Sequence, residues 1–154
     1  MEVSVWFMNK IVNPLVCLIL RSPLHKLMSD TLLLITYSGR KTGMKYTLPV
    51  QYVQTGNAIY IVPGMPEQKT WWRSLKGGAP VQLTLRGQTL AGNAVVLKPN
   101  NDFEEIIAGL GLYLQRFPAL AKVHHIRRAA DGSFTIGELR PADTQAVIIH
   151  VEVR

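Results

Sequence analysis

Two stretches of the chain alternate apolar and polar residues, turn on a glycine and alternate again, and this pattern limits the fold more than any other feature. In Tyr46–Gln54, Leu48, Val50 and Tyr52 fall on one face and Thr47, Gln51 and Val53 on the other, Thr55-Gly56-Asn57 follows, and Ala58 to Val62 returns. In the second stretch Val81, Leu83 and Leu85 alternate with Gln82, Thr84 and Arg86, Gly87-Gln88 turns the chain, and a strand runs from Thr89 to about Lys98. A period of two on both sides of a tight turn specifies antiparallel hairpins, each with one face to bury.

The remaining segments fit around those hairpins. Leu32-Leu33-Leu34-Ile35-Thr36-Tyr37 is a short apolar run between Asp30 and Gly39 and reads as a buried strand; Ala146 to Val153 alternates as a last one. Residues 5–28 read as helical, and Pro14 and Pro23 divide them into two short helices. Gln68 to Lys76 reads as one short helix closed by Gly77, with Trp71 and Leu75 sharing a face. Asn101 with Glu104 reads as an N-cap and its reciprocal acceptor, ahead of Phe103, Ile106, Ile107, Leu110, Leu114 and Phe117 at helical spacing. Pro118 interrupts that helix or opens another reaching about Arg128, and Asp131-Gly132 and Arg140-Pro141 mark loops. Few parallel crossovers are implied. The order predicts a single α+β domain over residues 1–154, a small β-barrel of antiparallel strands with flanking helices, and residues 1–30 as a helical extension.

Composition narrows the partners. With 154 residues, 47% hydrophobic and 18% charged, the chain can bury one core. A net charge of +7 draws it toward anions, yet no basic stripe with interleaved aromatics and no reading motif is present, which argues against nucleic acid. Cys17 is the only cysteine, so an internal disulfide and a multi-cysteine metal site are excluded, and a reducing cytoplasm is the expected home. His124-His125 are adjacent and cannot form an i, i+4 metal pair; no metal is expected. Ile11 to Leu20 is apolar apart from Asn13 but shorter than the roughly 18–20 residues of a membrane span. Two readings of it stay open: a helix packed on the barrel, or one lying on the inner face of the cell membrane with Lys10, Arg21, His25 and Lys26 toward anionic head groups.

The residues most suited to chemistry are Gly39-Arg40-Lys41-Thr42-Gly43, between two apolar strands. Two cations, a hydroxyl and two glycines free to adopt positive φ can point N–H groups and a guanidinium fork at a phosphate. The glycine spacing is not that of a Walker loop, and for the segment taken alone a solvated basic turn is the commoner explanation. Taken with its surroundings it says more. Leu34 through Gly43, then Thr47-Leu48-Pro49-Val50, then Thr70-Trp71-Trp72-Arg73-Ser74-Leu75, resemble the deazaflavin-dependent nitroreductase family of split-barrel oxidoreductases, over roughly residues 13–97.

That resemblance implies a split β-barrel of the FMN-binding type and coenzyme F420 as cofactor. It implies that Gly39, Arg40, Lys41, Thr42 and Gly43 hold the cofactor's phosphate and acidic tail, that Pro49 lies along its ring system, and that Trp71 lies near it. Val62, Gly64 and Met65 stand in the loop implied to border the cofactor, although Pro63-Gly64-Met65-Pro66 replaces a Ser-Lys pair of the nitroreductases. Ser74 stands for the family's Asn, and Phe117-Pro118-Ala119-Leu120 for substrate-side tyrosines, so nitroimidazole reduction does not follow. The implied activity is hydride transfer to a quinone, nitro or enone acceptor, with homodimerisation a further implication. No protein nucleophile is needed, and Tyr37, Tyr52 and Tyr113 are the candidate proton donors. Two rivals remain: an FMN-binding reductase on the same barrel, and a non-enzymatic lipid- or membrane-binding protein.

Overall fold

The computed structural model of the chain describes residues 8–64, 66–123, 126, 129–131 and 147–154. Seven strands, β1 (Leu32–Ser38), β2 (Lys45–Gln51), β3 (Val53–Thr55), β4 (Ala58–Ile61), β5 (Ala79–Leu85), β6 (Gln88–Val96) and β7 (Ile149–Val153), form one sheet in the order β2-β1-β5-β6-β7-β4-β3, with every pairing antiparallel. β2 and β3 occupy opposite edges, yet Tyr52 alone separates them in the chain. The edges therefore meet at Tyr52, and the sheet rolls up. The register runs from Lys45 to Ser38, across β5 at Pro80 when the β1–β5 pairing is extended by two residues, and on through Asn93, Glu152 and Ala58. It returns to the β2–β3 segment at Thr55, ten residues beyond its start. Such a stagger is what tilted strands need to close a small barrel.

Alternation decides what lies inside. Leu33, Ile35 and Tyr37 of β1 point inward with Val81, Leu83 and Leu85 of β5, Ile59 and Ile61 of β4, and Ile149 and Val151 of β7. Leu34 points outward and is equally buried, because helix α1 (Asn13–Arg21) packs across β1 and β2. This is why the β1 sequence is a continuous apolar run rather than an alternating one. Helix α2 (Phe103–Arg116) covers a second cluster, in which Ile106, Leu110, Tyr113 and Leu114 meet Val53, Tyr60, Leu97 and Ile148.

Residues 8–27 are helical, in three short pieces rather than two. A π-helical turn over Met8–Val12 leads into α1, with Pro14 in its first turn, where a missing N–H costs nothing. Ser22 ends α1 by donating its hydroxyl to the Ile19 carbonyl (2.8 Å) and starts the 3-10 turn Pro23–Leu27 by accepting from the Leu24 N–H (3.1 Å). Among the described residues no helix is long and apolar enough to cross a membrane, and no cluster of side chains can hold a metal.

Three local expectations are corrected. The second hairpin turns on Arg86-Gly87, not Gly87-Gln88: Leu85 pairs with Gln88, and both intervening residues have positive φ (48° and 78°), the type I′ pattern. The cap of α2 is Asp102, not Asn101, and it makes no side-chain cap bond; its carboxylate accepts from the Lys98 N–H (2.8 Å), so it closes the preceding turn instead, and Glu104 is exposed. The segment around Trp71 is a 3-10 helix, Trp71–Leu75, whose three-residue period buries Trp72 with Leu75 rather than Trp71 with Leu75. The expected helix to Arg128 is described only as Leu120–Val123, and His124, His125, Met65, Gly132, Arg140-Pro141 and Ala146 lie outside the described residues.

Candidate functional site

Gly39 to Gly43 forms the connection between β1 and β2. The Gly39 N–H donates to the Met44 carbonyl (2.8 Å) and the Gly43 N–H to the Gly39 carbonyl (2.9 Å), which leaves the side chains of Arg40 and Lys41 on the exposed outside of the turn. Gly43 has φ of +67°, a conformation that a side chain resists. The Thr42 hydroxyl accepts from the Met44 N–H (3.3 Å) and lies 3.4 Å from the Tyr46 hydroxyl, so it serves the turn itself. Gly39 leaves room for the Tyr46 ring: a Cβ there would sit 2.9 Å from its edge.

Three segments converge at this end of the barrel. The Arg40 guanidinium donates to the Lys76 carbonyl, tying the turn to the residues that follow the 3-10 helix. Trp72 plugs the barrel core with its ring and donates its indole N–H to the Pro66 carbonyl (2.9 Å), tying the same helix to the Pro63–Pro66 loop. Arg73 and Lys76 lie over the Trp72 ring, 5.5 and 5.2 Å from its centroid. Arg40, Lys41, Arg73 and Lys76 are all exposed, and among the described residues none of them lies within ion-pair distance of a carboxylate. Beside them Tyr46 stacks on Tyr37 (5.7 Å between ring centroids), and Tyr37 is tilted against Trp71 (5.9 Å).

Gathered here, then, are Gly39, Arg40, Lys41, Thr42, Gly43, Trp71 and the loop that contains Gly64. Sequence reasoning missed Arg73, Lys76, Trp72's tether and the Tyr46–Tyr37 stack. Pro49 is placed differently. It pairs with Leu34 on the outer face of β2, opposite in phase to Tyr46, Leu48 and Val50, and it shares the face across which α1 packs. Val62 is half-buried against the α2 cluster, and Gly64 is exposed with open space where a side chain would be.

The tyrosines differ in what they can do. Burial raises the Tyr37 phenol above its ordinary pKa, and the neighbouring Tyr46 adds to this. Burial also raises Tyr52, against the opposing Arg86 guanidinium, and raises Tyr113 furthest. All three are therefore neutral O–H groups near pH 7. Only Tyr37 belongs to the site: the Tyr52 hydroxyl donates to the Ser29 carbonyl (2.7 Å), and the Tyr113 hydroxyl is sealed beneath α2, facing the Val62 backbone without a well-formed hydrogen bond. The Cys17 thiol, half-buried, is also pushed up by burial, in keeping with an unreactive cysteine.

Known proteins share this architecture. A chain described as a domain-swapped dimer superposes with a TM-score of 0.57 at 18% identity, over 79% of this chain and 80% of that one. An F420-H2 dependent reductase (FDR-A) superposes with a TM-score of 0.54 at 17% identity, over 79% of this chain and 94% of that one. At such identities the likeness establishes the split-barrel fold alone. No curated protein matches the chain in sequence. The model of the F420H(2)-dependent quinone reductase family does match, over residues 20–108, a span that includes β1 to β6, the Gly39–Gly43 turn and the Trp71–Leu75 helix. On that match, which covers more than half of its length, the chain belongs to the F420H(2)-dependent quinone reductase family.

Proposed function

We propose that this chain binds reduced coenzyme F420 by its phosphate and acidic tail at the Gly39–Gly43 turn and passes a hydride to a quinone. The observation that carries the reading is the group of four cations, Arg40, Lys41, Arg73 and Lys76, held together by the Arg40–Lys76 and Trp72–Pro66 hydrogen bonds and left without carboxylate partners among the described residues. A phosphodiester with a polyglutamate tail is the complementary ligand. FMN carries one phosphate, which the Gly39–Gly43 turn alone would satisfy.

The bound cofactor supplies the hydride; the protein supplies position and charge. Arg40 presents a fork that matches phosphate oxygens, and the N–H groups of Arg40, Lys41 and Thr42, which the turn's own hydrogen bonds do not use, supplement it. Lys41, Arg73 and Lys76 are point or fork charges for carboxylates further along the tail. Tyr46 and Tyr37 offer aromatic faces beside the anchor, and the neutral Tyr37 hydroxyl is the group of this site that can donate a proton. Replacing Arg40 and Lys41 together by alanine tests the anchor: each lost charge-assisted contact is worth about 1.5–3 kcal/mol, so F420 affinity falls by at least about a hundredfold while the fold persists. Unchanged affinity contradicts the assignment.

The N-terminal segment favours a location for the acceptor. Ile11, Leu15, Leu18, Leu24 and Leu27 are exposed, the last two by 60% and 77%, and from Val3 to Ser29 the chain has cations but no acid. We propose that this face rests on anionic lipid, where apolar quinones dissolve. Flotation with vesicles containing phosphatidylglycerol is expected for the full chain and is expected to be lost when Leu15, Leu18 and Leu27 are replaced by serine. A chain that stays in solution as a dimer through this face overturns the lipid reading.

A further inference from the structure

A cavity lies at the opposite end of the barrel from the Gly39–Gly43 turn. The Gly39–Gly43 turn follows the end of β1 and Lys76 precedes β5; Asp30 precedes β1 and Arg86 follows β5. Seven residues of β1, about 20 Å of strand, separate the two ends. There a cavity of about 570 Å³ is lined by Asp30, Tyr52, Gln54, Arg86 and Arg116, with Val53 and Leu112 as its apolar wall. This volume is typical of small-molecule sites.

The charges in it are unusual. Arg86 comes from the β5–β6 turn and Arg116 from the last turn of α2, so two unrelated elements deliver guanidinium groups to one cavity. Asp30 is the one carboxylate among the lining residues, and neither arginine forms an ion pair with it; Arg116 reaches only its backbone carbonyl, at 3.4 Å. Arg116 has an ordinary reason to be at a helix C-terminus, where cations are favoured. Arg86 occupies a turn position with φ of +48°, where glycine, asparagine or aspartate is at home and its backbone is strained, and its guanidinium faces the Tyr52 hydroxyl. The Tyr52 hydroxyl donates to the Ser29 carbonyl while its oxygen faces the Arg86 guanidinium, and the Gln54 amide N–H donates to the Gly56 carbonyl.

We propose that this cavity binds a small organic monocarboxylate, with its carboxylate on Arg86 and Arg116 and its apolar body against Val53, Leu112 and the Tyr52 ring. Asp30 leaves a net charge of one on the lining, which selects a monoanion over a dianion such as phosphate, and the apolar wall selects an organic body over an inorganic ion. The test titrates the full chain with benzoate and, separately, with inorganic phosphate, following arginine side-chain N–H signals by NMR. Benzoate is expected to saturate and to shift the Arg86 and Arg116 signals, with phosphate weaker. Arg86→Gly, which relieves the backbone strain and so keeps the fold, is expected to weaken benzoate at least tenfold while thermal stability and F420 affinity are unchanged or higher. Absence of saturation, equal benzoate affinity in Arg86→Gly, phosphate binding tighter than benzoate, or competition of F420 with benzoate each overturns the proposal.

Discussion

Trp72, rather than its neighbour, is the residue on which the candidate site is assembled, and Trp72→Phe isolates that role. Phenylalanine keeps an aromatic plug in the barrel core but removes the indole N–H that holds the Pro66 carbonyl at 2.9 Å, and it offers a weaker face to Arg73 and Lys76. A lost hydrogen bond is worth about 1 kcal/mol and each exposed cation contact about 0.5–1 kcal/mol, so about 2–3 kcal/mol is expected in all. For a domain of this size that lowers Tm by about 4–12 °C, readable by circular dichroism. The local consequence is more specific: the Pro63–Pro66 loop loses its tether, so cleavage at the exposed Lys69 by a lysine-specific protease accelerates and F420 binds more weakly. Trp71→Phe, which removes no hydrogen bond and keeps a ring against Tyr37, is expected to cost about 1 kcal/mol or less and to leave cleavage at Lys69 unchanged. Equal protease resistance in Trp72→Phe and the parent chain, or a larger loop effect from Trp71→Phe, would refute the reasoning.

Other consequences concern the frame. Gly109→Ala gains about 1 kcal/mol of helix propensity but places a Cβ 2.7 Å from the Tyr60 ring, which is backed by His150 at 5.2 Å and cannot withdraw; a net loss of about 1–2 kcal/mol in urea unfolding is expected. Tyr113→Phe removes a buried hydroxyl whose contact with the Val62 backbone falls short of a well-formed hydrogen bond, so it is expected to be neutral or stabilising at pH 7. Burial raises the phenols of Tyr37, Tyr52, Tyr60 and Tyr113 above 10.0, so the unfolded chain loses these protons first. Their contribution is therefore complete below pH 10 and declines as the pH rises above it; urea midpoints should fall in that range, less steeply in Tyr113→Phe.

Much of the architecture is written locally. Alternation marks the strand segments β2 to β6, and the Leu32–Tyr37 run announces a strand covered on both faces, but the single strand read over Tyr46–Gln54 is two: Lys45–Gln51 pairs with β1, and only Val53–Thr55 forms the hairpin with β4. Barrel closure is not local: the phase break at Tyr52 and Val53, both buried on opposite sides, is where β2 becomes β3, and only the pairing of β3 with β4 at the far edge reveals it. The Trp71 assignment failed for a related reason, since a five-residue segment cannot distinguish a 3.6-residue from a 3-residue period, and the choice decides which tryptophan faces inward. Within the site, the Gly39–Gly43 turn is legible because its residue types are contiguous. Arg73 and Lys76 are not, because nothing in sequence links them to Arg40 before the Arg40–Lys76 contact forms. Asn101 reads as the cap because aspartate and asparagine serve both turns and caps; in the structure Asp102 takes the position, and the Lys98 N–H claims its carboxylate.

The central claim is that the cation-lined turn holds F420 and delivers its hydride to a quinone. The most direct measurement mixes the purified full chain with reduced F420 and menadione and follows cofactor oxidation, with reduced FMN in a parallel reaction. Protein-dependent, saturable oxidation of reduced F420 that is lost with Arg40→Ala and Lys41→Ala, and no comparable reaction with FMN, is the expected result. Selective binding and turnover of FMN, or F420 oxidation that is indifferent to those two substitutions, would contradict it.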